Sequence, residues 1–330
     1  MFNSSVSRSP WGDVTVYAGI SSVFAPPPLE VFVTRIRAVV PFLVLASLWG
    51  FSFPAISVGL DVLPPVLFAA FRYDVAAILL LGAAAVQTPG RAWIPTARPD
   101  RLAVLAGGLF LIAGNAFLFL GQQTVPSGVA AIIQALVPIA TALWALALLP
   151  EEWVTPAGAV GIAIGFVGVG LVIRPDPANL FRSDLVGKLL ICVQVASVAL
   201  GGVLVQRASP SLERTALSGW SMGIGATVLH LSSVGVGERF VVPSGLALGA
   251  VLYLGVFATA IAFFLYFSLL ARYGALETSL VAYAVPVVAT IAGAVLLDEY
   301  VAPASLVGFL VIFLGFVLLK RRAIADLLGV

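Results

Sequence analysis

Charged side chains are scarce in this sequence. The 330 residues include 17 Lys or Arg and 15 Asp or Glu, so only 10% of the chain is charged, against roughly 25% in soluble globular domains. The formal net charge of +2 provides no strongly basic surface for a polyanion. We therefore expect neither an ordinary soluble domain nor a nucleic-acid partner.

Cysteine and histidine are also nearly absent. Cys192 is the single cysteine and His230 the single histidine, which excludes an internal disulfide, a cysteine-based metal cluster and a histidine-rich zinc or haem site. The sequence has no P-loop of the GxxxxGKS or GxxxxGKT type, no HExxH pair and no pair of membrane aspartates. These absences disfavour an ATP-driven pump and an intramembrane enzyme, and we expect no metal, cofactor or catalytic residue.

Apolar residues dominate what is present. Hydrophobic residues make up 61% of the chain and the mean hydropathy is +1.12, while a helix needs roughly 20 apolar residues to cross a bilayer. The sequence thus predicts an all-α membrane protein with ten transmembrane helices. We number the predicted helices as spans 1 to 10: 39–58, 65–84, 102–120, 128–149, 155–173, 185–205, 215–234, 246–270, 275–297 and 302–319.

Residues 1–36 precede the first span and are polar, with prolines at 26–28. They lack the basic start and compact apolar run of a signal peptide. We interpret them as a flexible cytoplasmic extension, with a misassigned start codon as the alternative.

The distribution of Lys and Arg predicts the orientation, because cytoplasmic loops retain positive charge. With the N-terminus inside, twelve Lys and Arg lie on the cytoplasmic side and five on the other. We therefore expect a multi-pass protein of the cell membrane with both termini in the cytoplasm. Two units of five spans, 37–174 and 184–322, are then inverted relative to each other because five is an odd number. This arrangement is typical of secondary transporters, whose substrate site lies near the midplane.

An internal repeat supports the division into two units. Segment 132–153 (IIQALVPIATALWALALLPEEW) resembles segment 280–300 (LVAYAVPVVATIAGAVLLDEY), with Pro138 matching Pro286. Glu152 is one residue further from its proline than Glu299, after which the spacing of glycines agrees again, with Gly161 and Gly168 answering Gly308 and Gly315.

These motifs resemble the EamA type of the drug/metabolite transporter superfamily, in the form with two EamA domains. The resemblance rests on WGFSF at 49–53, Phe71 and Arg72, the two repeated segments, and the glycine-spaced helices that follow each of them. It covers roughly 39–320 and implies a permease for small molecules without specifying the substrate. This chain departs from the family pattern in its longer N-terminal extension and because span 6 has no tryptophan that answers Trp49.

Candidate substrate-binding residues are the aromatic and polar side chains within the spans, because polar groups in a bilayer face protein or a water-filled cavity. Interhelical hydrogen bonding or contact with lipid is the alternative for each of them. Gln134 shares a helix face with Pro138, four residues on. The candidates are Trp49, Phe51, Asn115, Gln134, Gln194, Tyr266 and Tyr283.

Pro138 and Pro286 are candidate hinges, because proline removes a helix hydrogen bond and clashes with a preceding carbonyl. The two bends flank a central cavity in this interpretation, and the alternative is kinks that serve packing alone. Arg72 lies about 10 Å into span 2 at a rise of 1.5 Å per residue. It is either an anion contact or gate, or a link to another helix.

Four carboxylates, Glu151, Glu152, Asp298 and Glu299, lie at helix ends beside the N-termini of the helices that follow. Capping of those helices is the expected role, and proton coupling is the alternative. Spans 1 and 6 contain no Asp or Glu, which leaves Glu277 as a weak further candidate for a proton carrier.

We therefore expect a secondary transporter that moves a small organic metabolite by alternating access, as an exporter rather than an importer. The few cations favour an amino-acid-like or amphipathic substrate over a sugar phosphate or nucleotide sugar, which needs several Lys or Arg. An intramembrane enzyme and a non-transporting scaffold are the competing classes. Glycines of span 5 at close-packing spacing indicate a helix contact within the chain or a homodimer.

Overall fold

The computed structural model describes residues 29–88, 90, 92–149, 155–174, 183–273 and 281–321, without the side chains of 29–39, 267 and 270–273. The described residues form helices joined by short turns, and none of them lies in a β-strand. This confirms the prediction of an all-α chain.

The helices of the first half follow the predicted spans closely. They are α1 (Leu29–Gly50), α2 (Ser52–Leu60), α3 (Pro65–Gln87), α4 (Arg98–Ala106), α5 (Ala116–Gln122), α6 (Ser127–Gln134), α7 (Val137–Leu148) and α8 (Pro156–Ile173). A π-helical segment, Gly107–Ile112, and a 3-10 turn, Ala113–Asn115, connect α4 to α5.

The second half has the same succession. Its helices are α9 (Ser183–Ala208), α10 (Arg214–Gly235), α11 (Gly245–Leu252), α12 (Ala262–Tyr273), α13 (Val281–Leu297) and α14 (Pro303–Leu319). A second π-helical segment, Tyr253–Ile261, connects α11 to α12. Both π segments therefore lie in the third helix of a half, since the first is in span 3 and the second in span 8.

Seven helical stretches are long and apolar enough to cross a membrane within the described ranges: Val40–Leu60, Pro65–Gln87, Arg98–Gln122, Ser127–Leu148, Pro156–Ile173, Ser183–Ala208 and Gly245–Tyr266. The shorter apolar helices α13 and α14 correspond to spans 9 and 10. Span 7 coincides with α10, which has 22 residues, and His230 and four serines lower its hydropathy.

The described residues from 41 onward belong to the larger of two compact units. Within the larger unit the helices of the two halves pack against each other. Helix α14 lies along α8, α10 along α3, α7 along α9 and α13 along α6, while α2 contacts both α11 and the second π segment. A continuous apolar core joins them, with Phe68, Phe119 and Phe316 almost fully buried.

The two matched prolines lie in different settings. Pro138 is in the first turn of α7, after a break that ends α6 at Gln134. The amides of Ala135 and Leu136 bond three residues back, to Ile132 and Ile133, so the turn is tight where the helix stops. Pro286 instead lies inside the continuous helix α13. The sequence repeat thus corresponds to a helix break in one half and a proline-containing helix in the other.

Candidate functional site

An aromatic cluster joins the first helix of one half to the third helix of the other. The Trp49 ring lies 5.7 Å from that of Tyr266 and 6.4 Å from that of Phe263 between centroids. The Tyr253 hydroxyl donates to the carbonyl of Leu48 at 2.9 Å, which fixes the end of α1 against the second π segment. The structure therefore brings together two of the predicted residues, Trp49 and Tyr266.

A polar cluster forms between α9 and the first π segment. Gln194 Nε2 donates to Asn115 Oδ1 at 3.2 Å, and Asn115 Nδ2 donates to the carbonyl of Leu111 at 2.7 Å. The Ser197 hydroxyl donates to the carbonyl of Phe110, within the first π segment, at 2.8 Å. Gln194 is 2% exposed, and its Oε1 has no partner among the described residues.

These two clusters occupy corresponding places in the two halves. The first pairs span 1 with span 8, and the second pairs span 6 with span 3. Each lies beside a π-helical segment, a helix form that is frequent at functional sites. The predicted residues are aromatic in one cluster and amide-bearing in the other, so the two places differ in chemistry.

Tyr283 lies apart from both clusters. It is 7% exposed, and its ring lies 5.1 Å from Phe313 and 4.8 Å from Phe316 on α14. The hydroxyl is buried without a hydrogen-bond partner in the described part of the chain. The structure therefore places Tyr283 in the packing between α13 and α14.

The last two predicted residues make few specific contacts. Phe51 is 42% exposed at the start of α2. Gln134 is half-buried at the end of α6, and its side chain makes no hydrogen bond among the described residues. The break after Gln134 separates it from Pro138, so the single helix face expected for the two residues is interrupted.

Sequence reasoning missed a polar network where the ends of four spans meet. Glu299 accepts hydrogen bonds from the Ser127 amide at 2.8 Å and the Ser127 hydroxyl at 3.0 Å. The Ser127 and Ser57 hydroxyls lie 3.0 Å apart, and Gln122 Nε2 bonds to the carbonyl of Phe53 at 3.1 Å. A cavity of about 450 Å³ opens beside these groups. The polar residues at the ends of spans 1 and 3 could have indicated this network in the sequence.

The capping prediction for the terminal carboxylates needs a correction. Glu299 caps α6, in the other half of the chain, and not the helix that follows it, because α6 and α13 pack side by side. Asp298 is exposed with a left-handed φ of 52°. Glu151, Glu152 and Glu277 lie outside the described residues.

A second cavity, of about 330 Å³, lies between α3, α10 and the second π segment. Its lining is almost entirely apolar and includes Leu80, Phe263 and Phe264. Neither this cavity nor the polar one is lined by a predicted substrate-binding residue.

Comparison with known proteins gives one family and several relatives. The model of the EamA-like transporter family matches residues 37–174 and again 185–321. An inner membrane transporter of Escherichia coli strain K12, named YedA and described as uncharacterized, is 32% identical over 76% of this chain and 79% of its own.

Two further relatives carry names that specify a cargo. A probable terminal-alkyne amino-acid exporter of Streptantibioticus cattleyicolor is 26% identical over 87% of this chain and 95% of its own. A probable amino-acid metabolite efflux pump of Salmonella typhimurium is 28% identical over 83% and 91%. A solved crystal structure shares the fold with a TM-score of 0.60 and 22% identity, over 87% of this chain and 98% of that one.

Proposed function

This chain belongs to the EamA-like transporter family, as the sequence motifs predicted, and on that premise we propose that it is a secondary transporter working by alternating access. Its two halves, 37–174 and 184–322, form inverted repeats that rock against each other and open a central site to each side in turn. Membrane transport of small molecules is the activity for which the family and its relatives are named.

The observation that carries the proposal is the crossing of α8 and α14. A Cβ added to Gly161 would lie 2.5 Å from the carbonyl oxygen of Gly315, and one added to Gly168 would lie 2.8 Å from that of Gly308. Residue numbers along the contact therefore increase on α8 and decrease on α14, so the two helices pack antiparallel. These helices are the fifth of their halves, so antiparallel packing is what inversion of the repeats requires.

Contacts between loops agree with the same topology. In a ten-span chain, the loops after odd-numbered spans lie on one side and the loops after even-numbered spans on the other. Each hydrogen bond between distant loops or helix ends joins two residues that this scheme places on the same side. On one side the pairs are Leu67 with Glu238, Thr124 with Ser183 and Ser127 with Glu299. On the other side they are Asp100 with Leu212 and Trp93 with Trp220.

The proposed substrate is an amino acid or an amphipathic molecule of similar size, and the proposed direction is export. Two relatives are named for the efflux of amino acids or amino-acid metabolites. The clusters around Trp49 and Gln194 contain an aromatic surface and a buried amide oxygen that has no partner among the described residues, which suit the apolar and the donor groups of such molecules. We place the site between these clusters, with Pro138 and Pro286 as the hinges and both termini in the cytoplasm of a cell-membrane protein.

Flux through the purified protein in liposomes tests this proposal. Efflux of a panel of radiolabelled amino acids should exceed that from empty liposomes, and Trp49→Ala and Gln134→Ala should each reduce it by about tenfold or more if removed contacts cost roughly 1.4 kcal/mol. Trp93→Ala is the matched control, because that indole stacks on Trp220 at a loop. Equal losses in Trp49→Ala and Trp93→Ala, or no flux in the wild type, would contradict the proposal.

A further inference from the structure

Arg72 is a buried cation at membrane depth. It is 8% exposed and lies in α3, seven residues after the helix begins. Inserting an arginine into the membrane at such a position costs roughly 2.5–3.5 kcal/mol of free energy on insertion scales. This cost is tolerated where the charge has a partner or a function.

The described residues provide the guanidinium with one hydrogen bond and one aromatic contact. Arg72 Nε donates to the Thr259 hydroxyl at 3.0 Å, and the guanidinium carbon lies 5.1 Å from the centre of the Tyr73 ring. Asp74 is the acidic residue nearest in sequence, and its carboxylate bonds to His230 at 2.7 Å.

Among the described residues, no carboxylate therefore balances the charge of Arg72. No described carboxylate lies within 4.0 Å of the guanidinium, and its two terminal nitrogens make no hydrogen bond to a described residue. Those two nitrogens form the outer edge of the guanidinium, whose paired donors suit a carboxylate.

One helical stretch connects Arg72 to the aromatic cluster. Thr259 holds Arg72, and Phe263, four residues further along the same helical stretch, contacts Trp49. Four residues correspond to about 6 Å along a helix at 1.5 Å per residue. A cationic group and an apolar surface thus adjoin the same helical stretch, and an amino acid presents a carboxylate and a side chain to two such groups.

We propose that Arg72 binds the carboxylate of the transported substrate while the cluster of Trp49, Phe263 and Tyr266 contacts its apolar part. This rests on the proposed function and assigns its substrate class as organic carboxylates. Arg72 is the one buried Lys or Arg among the described residues. A single cation suits a monoanion better than a phosphate ester, which carries a charge between −1.5 and −2.

The experiment compares substrates that differ only in the carboxylate. Liposomes containing the full-length protein are loaded with L-leucine or L-phenylalanine, or with the corresponding leucinamide or phenylalaninamide, and efflux is measured. The wild type should prefer each acid over its amide by about tenfold to a hundredfold, the range expected for hydrogen bonds to a charged group. Arg72→Gln should reduce the preference to less than about twofold, and Arg72→Lys should retain part of it.

Two comparisons separate binding from structural support. If Arg72 only links α3 to the second π segment, Arg72→Gln and Thr259→Val will lower the melting temperature alike and leave the ratio of acid to amide unchanged, which overturns the inference. Efflux of acid and amide at equal rates in the wild type also overturns it, while transport itself stands. Absence of efflux for all four probes contradicts the proposed function as well.

Discussion

Glu299 connects helix ends that are 172 residues apart in the chain. Its carboxylate accepts two hydrogen bonds from Ser127 at the start of α6, where the helix dipole also favours negative charge. We expect Glu299→Gln to lower the free energy of unfolding in mixed detergent micelles by about 1–3 kcal/mol, the scale of hydrogen bonds to charged groups.

Asp298→Asn is the control for that prediction. It removes the same charge one residue earlier, from an exposed side chain with a left-handed backbone that asparagine also tolerates. Its free energy of unfolding should change by less than about 0.5 kcal/mol. Equal effects of the two substitutions would mean that net charge, and not the cap on α6, determines the stability.

For individual residues, the sequence identified which side chains are unusual but did not identify their partners. Arg72 and Gln194 stand out because polar groups are rare in the spans. Their partners Thr259 and Asn115 lie 187 and 79 residues away, and no local spacing encodes such distances. Tyr283 illustrates the same limit, since only the packing of α14 shows that its ring faces Phe313 and Phe316.

The crossing of α8 and α14 makes the clearest prediction for whole helices. A Cβ at Gly161 would meet backbone atoms of Gly315 and Leu319, and backbone cannot move aside as a flexible side chain does. We expect Gly161→Ala to reduce the free energy of unfolding by about 1–3 kcal/mol, as overpacking does. Thermal or detergent unfolding of the purified variant measures it.

Gly170→Ala on the same helix provides the comparison. Nothing lies within 4 Å of a Cβ built there, so the added methyl group should leave stability unchanged or raise it by up to about 1 kcal/mol through helix propensity. A loss at Gly170 as large as that at Gly161 would show that the crossing is not the close contact described above.

Hydropathy was sufficient to predict where the helices lie, because the bilayer fixes their length and apolar character. It could not reveal the break between α6 and α7 or the two π segments. Those interruptions depend on tertiary contacts such as the bond from Ser197 to the carbonyl of Phe110. The match between the two prolines likewise gave no indication that Pro138 lies at a helix start and Pro286 within a helix.

For the whole molecule, the proposed topology depends on α10 crossing the membrane. Gln206 lies near the end of α9, just before α10, and Val236 directly follows α10; both residues are exposed. With Cys192 replaced by serine, a membrane-impermeant maleimide should label Val236→Cys in intact cells and Gln206→Cys only after permeabilisation. The reverse pattern would invert the orientation, and labelling of both from one side would contradict the division into five plus five spans.

The glycine crossing has a consequence for the origin of the fold. Exchanging the two repeats turns the contact of Gly161 with Gly315 into that of Gly308 with Gly168, which the structure also contains. A single five-helix unit could therefore form this crossing with an upside-down second molecule of itself. Under the proposed inverted topology, the chain corresponds to two such units joined into one polypeptide. Once joined, each half could diverge, so that Trp49 in α1 has no tryptophan counterpart in α9.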